Sequence, residues 1–314
     1  MGSLTGMKTA LITHPDCLEH VTPDGHPEQV ARLSSVLAAI EDMPLARHEA
    51  EMATDAQLAR VHTDAHIAAI KAASPATGQR QMDADTWMSP GSLTAAYRAA
   101  GAAVQAVDLV LGGQAPNAFC AVRPPGHHAE REQTMGFCLF GTVAVAAKHA
   151  LDHHGLSRVA IVDFDVHHGN GTQDLLQDDP RVLFISSHQM PLWPGTGDPS
   201  EVGPHDTVVN IALPPDTKGP DFRAVYEAEV FPRIAAFDPE LLLISAGFDA
   251  HQDDPLAGLA LTEADFTWVT ERLCDLAAEH CDGRVVSCLE GGYNLTALAK
   301  CARAHVKVLE ERSR

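Results

Sequence analysis

The stretch VDFDVHHGNGT, residues 162–172, opens on an apolar strand and then sets Asp163, Asp165 and His167 at alternate positions. In an extended chain, residues two apart point the same way, so these three side chains begin on one face. Two carboxylates and an imidazole are costly to bury without partners. If the strand ends near residue 165, they can fan around one or two cations, and a donor set without thiolate suits zinc, iron(II) or manganese. With Asp163 as a mere cap and His167 as a loop histidine, buried acids would stay unpaired.

Working outward, short apolar runs recur along the chain: TALIT (9–13), AFCAV (118–122), VAIVDF (159–164), VLFIS (182–186), VVNIAL (208–213), LLLISAGFD (241–249) and VVSCLEGGY (285–293). Continuous Val, Ile and Leu runs between helices indicate parallel strands buried on both faces. Helical segments are expected over 91–112, 141–154, 221–236, 262–280 and 294–312. With no Ser/Gly/Pro linker, repeat or low-complexity tract, one α/β domain spanning 1–314 is the simplest account. The polar, Gly-rich and Pro-rich clusters RPPGHHAE, DVHHGNGT, SHQMPLWPGTGD, GFDAHQDDPLAG and EGGYN all follow strands. Ligands of open parallel sheets bind beyond the carboxyl ends of the strands, so five loaded loops should converge on one sheet edge.

Asp249, at the end of LLLISAGFD, brings a third ligand to Asp165 and His167. Three protein ligands leave a coordination position open, as a catalytic metal requires. His127 and His128 follow Pro124, Pro125 and Gly126, a rigid turn on which both imidazoles can face one cavity and serve as base and acid. In EGGYN, Tyr293 can offer its phenol to an oxyanion. A second pair, His153 and His154, closes an expected helix and receives no role.

Composition narrows the partners. Twenty-two basic against 42 acidic residues give a formal charge of −20, and no basic run forms the footprint of a nucleic-acid binder. Such a surface would attract cationic small molecules or Lys-rich segments, or simply keep the chain soluble. The seven cysteines include no Cys-x-x-Cys and mostly sit in apolar runs, which points to buried free thiols in a reducing compartment. No apolar stretch is long enough to span a membrane, and MGSLTGMKTALITHP lacks the make-up of a signal peptide or a myristoylation site, so a cytoplasmic location is expected. Residues 1–6 read as a leader or a frayed end.

RPPGHH, GFC, DFDVHHGNGT, SAGFDAH with DDPL, and LEGGY, in this order and at these separations, closely resemble the zinc-dependent histone deacetylase superfamily, including its class II-like bacterial members, acetylpolyamine amidohydrolases and acetoin-utilisation-type proteins. The resemblance runs from HPEQVARL (26–33) to the end. It implies an arginase-like α/β fold, with a parallel sheet of about eight strands between helices. It implies one zinc per chain on Asp165, His167 and Asp249, and a structural potassium held by Asp163, Asp165, His167 and Ser186. His127 would assist the attacking water, oriented by Asp163, and His128 would protonate the leaving amine. Tyr293 would polarise the scissile carbonyl. Asn170 stands where class I members carry Asp, which places the chain nearer the class II branch and leaves His128 more easily deprotonated. Gly136, Phe137 and Trp193 resemble the acyl-lysine tunnel, and Arg32 the arginine behind the metal where acetate would leave. Leu256 takes the place of a glutamate that polyamine-selective relatives carry at the rim. Asp83 or Asp85 resembles the rim aspartate that grips substrate backbone in the family, although a solvated loop acid is the better reading of both.

The implied activity is a deacetylase that removes acetyl or similar acyl groups from lysine side chains or small amines. Two rivals stay open. One is a ureohydrolase of the same fold with two manganese ions, kept in play by Asp253 and Asp254. The other is a binding protein that retains the fold without turnover. A homo-oligomer is compatible with the long segment 74–90, which could also serve as a lid.

Overall fold

A computed structural model describes residues 6–313, so the leader reading of residues 1–6 falls, Gly6 apart, outside the described chain. Its central feature is one eight-stranded sheet built from β1 (Ala10–Thr13), β2 (Ala46–Glu49), β5 (Asn117–Cys120), β6 (Val159–Asp163), β7 (Val182–Gln189), β8 (Val208–Leu213), β9 (Leu241–Ala246) and β10 (Val285–Leu289). The strand order is β2-β1-β5-β10-β9-β6-β7-β8, and every pairing is parallel. β3 (Arg80–Gln81) and β4 (Trp87–Met88) form a separate antiparallel hairpin inside the segment 74–90.

The apolar runs account for seven of the eight strands. β6 and β9 are buried at every position, as strands between two helical layers must be. The eighth, β2, reads Ala-Arg-His-Glu; it lies on the sheet edge with Arg47 and Glu49 exposed, so it lacks an apolar run to announce it.

Among the helices are α1 (Val30–Ala39), α2 (Asp55–Leu58), α3 (Asp64–Ala73), α4 (Ser92–Leu111), α5 (Thr142–Asp152) and α6 (Asn170–Leu176). They continue with α7 (Gly219–Val225), α8 (Phe231–Phe237), α9 (Glu263–His280) and α10 (Leu295–Glu311). α10 packs between α1 and α9, whereas α4 pairs with α5, and both groups cover the sheet. Ala-rich α4 comes close to its neighbours because most of its buried face is Ala and Gly, eight of thirteen residues. At Gly101 a Cβ would overlap the Glu51 carbonyl and the Ala53 amide. The helix expected over 221–236 is interrupted by a π-helical turn, Tyr226–Val230, between α7 and α8. Helix α6 begins at Asn170, inside what the sequence presents as loop.

Candidate active site

Adjacent strands β5, β10, β9 and β6 end side by side, and the segments that leave their carboxyl ends carry the chemistry. Strand β6 stops at Asp163, two residues earlier than its alternation suggests, so Asp165 and His167 are not held by a strand face. A chain of turns replaces it: the Asp165 amide donates to Asp163 Oδ1 at 3.1 Å, and the His167 amide donates to Asp165 Oδ1 at 2.9 Å. Each aspartate thus fixes the backbone two residues on, as short acidic side chains do in turns. Strand β9 likewise ends at Ala246, and Asp249 follows three residues later.

Asp165, His167 and Asp249 offer one donor atom each within 4.8 Å of one another, and all three are buried. His167 Nδ1 stands 3.2 Å from both Asp165 Oδ1 and Asp249 Oδ2. Backbone amides aim the carboxylates: Gly291 N–H donates to Asp165 Oδ2 at 2.8 Å, and Val166 N–H to Asp249 Oδ1 at 2.9 Å. A Cβ at Gly291 would overlap both carboxylates, and one at Gly247 would overlap Asp165. Burial pushes Asp249 up, and the neighbouring Asp165 adds to it. Burial would raise Asp165 too, but the charges of His127 and His167 outweigh it and hold its carboxyl well below the usual range. Burial opposes a charge on His167, yet its hydrogen bonds with Asp165 and Asp249 push it up to about 10. The donor set therefore attracts a cation, with one nitrogen and carboxylate oxygens that suit a divalent ion.

The tandem histidines stand over this group. Their rings lie 3.8 Å apart between centroids, and His127 Nε2 is 3.7 Å from Asp165 Oδ2. His127 Nδ1 pairs with Asp163 Oδ2 at 2.9 Å, whereas His128 Nδ1 donates to the amide oxygen of Asn170 at 2.7 Å. The two environments push the rings apart. Burial disfavours charge on both, but Asp165 and Asp163 overcome it at His127 and raise that ring. At His128 the cationic neighbours His127 and His167 reinforce burial and lower it.

A cavity of about 210 Å³ leads from the surface to these residues, lined by Asp85, His128, Gly136, Phe137, His167, Leu192, Trp193, Leu256 and Tyr293. Phe137 stands 5.8 Å from the Tyr293 ring, and Trp193 stands 4.7 Å from that of His128, with 42% of its surface exposed at the mouth. Gly136 and Phe137 both take positive φ, 55° and 69°. Asp85 Oδ1 accepts from the Gly136 amide at 3.2 Å, and Thr86 Oγ1 from the Phe137 amide at 3.1 Å. Asp85 is therefore part of the tunnel wall and not a solvated loop acid, and the 74–90 segment braces that wall.

Arg32 is fully buried beneath Tyr293, its guanidinium 4.8 Å from the ring centroid. It donates to the Gly292 carbonyl at 2.6 Å and to Glu28 Oε1 at 2.9 Å, and Arg123 closes on the same Glu28 at 2.6 Å. Ser186 is buried opposite Asp163 in the β6–β7 register, with its Oγ 3.0 Å from His188 Nδ1.

Two acids hold roles that the sequence does not announce: Glu290, and Asp254, which the sequence offers only toward a second metal ion. Glu290 Oε2 accepts from the Gly126 amide at 2.7 Å and the His127 amide at 3.1 Å, which ties the Pro-Pro-Gly-His-His turn to the end of β10. Burial pushes it up to about 7. Asp254 Oδ2 accepts from the Tyr293 amide at 2.7 Å and, pushed up chiefly by burial to about 6, holds the turn that presents the phenol. Asp254 is thereby spent on backbone, and Asp253 is exposed beside His251. Neither belongs to the donor group.

A histone deacetylase domain model matches residues 26–309. The chain is 39% identical over 299 residues to a protein of Oryza sativa subsp. japonica named histone deacetylase 10, chloroplastic, with 88% of this chain and 68% of that protein covered. It is 38% identical over 298 residues to a probable deacetylase of Archaeoglobus fulgidus, covering 92% of this chain and 82% of that one. The crystal structure of the HDA15 HD domain superposes with a TM-score of 0.90 at 35% identity, over 97% of this chain and 88% of that one.

Proposed function

The chain belongs to the histone deacetylase family, a family of amide-bond hydrolases with a metal cofactor, and from that premise we propose that it is a zinc-dependent deacetylase of acyl-lysine side chains or small acylated amines. The observation that carries this reading is the convergence of Asp165, His167 and Asp249 at the floor of a narrow, largely apolar cavity. Asp165, His167 and Asp249 would hold one zinc, which when bound supplies Lewis acidity toward the amide oxygen and acidifies a water.

The chain's own residues supply the rest. His127, tied through Nδ1 to Asp163, assists the attacking water and orients it beside the donor group. His128 has its Nδ1–H committed to Asn170, which leaves a bare Nε2 to take the proton that the attacking water gives up and then deliver it to the departing amine. Tyr293 donates its phenolic hydrogen to the carbonyl oxygen as charge builds there. Phe137 and Trp193 flank the methylene stem of the substrate, with Gly136 leaving room beside His128. Arg32, behind Tyr293, lies where the acetate would leave. Asp163, Asp165, His167 and Ser186 are the residues that would hold a structural potassium, a hard cation suited to oxygen donors. Leu256 at the mouth supports acyl-lysine over polyamines, which would call for an acid there.

The test compares a fluorogenic acetyl-lysine peptide, acetylputrescine and arginine, using metal-stripped protein restored with zinc or manganese. Acetyl-lysine turnover should return with the first equivalent of zinc, and Tyr293→Phe should lower kcat by roughly 10²–10³ with little change in KM. Turnover of arginine alone, with two manganese ions required, would replace this reading with a ureohydrolase.

A further inference from the structure

We propose that Asp108, His149, His153 and His154 form a second metal site, for a divalent late-transition ion such as zinc, at the end of α5 remote from the catalytic group. Helix α5 starts beside the active site, where Thr142 packs against Gly126, and runs eleven residues away from it before His153 and His154. These residues offer one donor atom each within 4.8 Å of one another, the same closeness as Asp165, His167 and Asp249. The only two such groups among the described residues are these.

The local arrangement gathers the donors. His149 and His153 are four apart on one helix face, and their rings stack at 4.7 Å. His154, one residue on, turns its ring at 90° to that of His153, with centroids 5.0 Å apart. Asp108, from the last turn of α4, reaches across so that one oxygen, Oδ1, meets both His149 Nε2 at 2.7 Å and His154 Nε2 at 2.6 Å. Three imidazoles and a carboxylate without thiolate form a donor set for zinc, cobalt, nickel or copper. Burial holds His149 below its ordinary value despite Asp108, and a ligand imidazole must be neutral.

A tetrahedral zinc site has donor–donor separations of about 3.3 Å, given metal–ligand bonds near 2.0–2.1 Å. The Nε2–Oδ1 contacts are shorter, 2.7 and 2.6 Å, so the donors must part by roughly 0.6–0.7 Å to admit the ion. Asp108 and His154, with 48% and 24% of their side chains exposed, have room to do so. Arg60 is the obstacle: its Nη1 lies 2.5 Å from His149 Nδ1 and donates to it, which keeps the ring proton on Nε2. Ligation through Nε2 moves that proton to Nδ1, and His154 makes the same shift, so no net proton is released. Arg60 must then withdraw, because two N–H groups would face each other.

This gives the site a signature that a helix-capping histidine cluster lacks. Metal-free protein is titrated with zinc or cobalt and the bound metal counted, with folding monitored by circular dichroism. Wild type should take a second equivalent after the catalytic one. His154→Ala should lose that second equivalent yet keep acetyl-lysine turnover at the first. Asp249→Ala should lose the catalytic equivalent and keep the other, so failure at either site is seen separately. Arg60→Gln, which replaces a competing donor by an acceptor for Nδ1–H, should tighten the second equivalent by tenfold or more. Wild type saturating at one equivalent, His154→Ala retaining two, or Arg60→Gln weakening the second would each overturn the proposal.

Discussion

At Asp165 both carboxylate oxygens are already engaged: Oδ1 by the His167 amide and Oδ2 by the Gly291 amide. Its position is therefore set by two segments at once, and the glycine is the tighter of the constraints. Gly291→Ala places a methyl group against Asp165 and Asp249 together. The expected result is a folded protein that retains less than a tenth of its catalytic metal after dialysis, since displaced ligands cost metal affinity at least as much as a lost outer partner, about 10–100-fold. Metal content and circular dichroism on the same sample check it. The three residues of the donor group, Asp165, His167 and Asp249, are legible in the sequence, because acids and histidines at the ends of apolar strands are costly to bury without a cation to share. The place of Asp85 in the cavity wall is offered only by the family resemblance, because its hydrogen bond from the Gly136 amide spans 51 residues and nothing local to DADTW reports that pairing.

Elements were readable in proportion to how completely they are buried. Strands β5, β6, β9 and β10 have unbroken buried sides, whereas edge strand β2 alternates and offers no apolar run. Helices α1 and α3, ten residues each, bury only three or four side chains, too few turns for a period to stand out. The π-helical turn between α7 and α8 has no local cue beyond Pro232. One buried residue links three elements: His305 on α10 lies 2.7 Å from Thr270 Oγ1 on α9 and 2.8 Å from Ser287 Oγ on β10. Burial lowers it to about 3. Its folded value thus lies below the unfolded one, so protons favour the unfolded chain. Its contribution to stability is intact above the unfolded value and is lost as pH falls from about 6.5 toward 3, at about 1.4 kcal/mol per unit. Urea midpoints measured at about pH 7 and pH 4.5 should show roughly 3 kcal/mol of loss from this residue, and His305→Gln should remove that part of the slope.

For the molecule as a whole, a formal charge of −20 sets how substrates approach. The potential reaches about one Debye length, roughly 8–10 Å at 0.1–0.15 M salt. An acetyl-lysine peptide with flanking lysines should lose several-fold in kcat/KM between about 50 and 500 mM salt, while one with uncharged flanks should change little. Parallel salt curves for the two peptides would assign the acidic surface to solubility alone. The fold class was legible at this scale because helices alternating with apolar strands admit few layer arrangements. No described helix is long and apolar enough to cross a membrane. All seven cysteines are free and buried, spread over β5, β10, α9, α10 and the intervening segments. Burial also pushes up the thiols of Cys17, Cys138, Cys274, Cys281 and Cys301, Cys274 to about 12 and Cys281 to about 11. Alkylating reagents and peroxide act on exposed thiolate, so each of these sulfurs stays silent until its own element opens. The native chain thus carries a built-in set of timers, distributed through sheet and helices, whose labelling order would record how the protein comes apart.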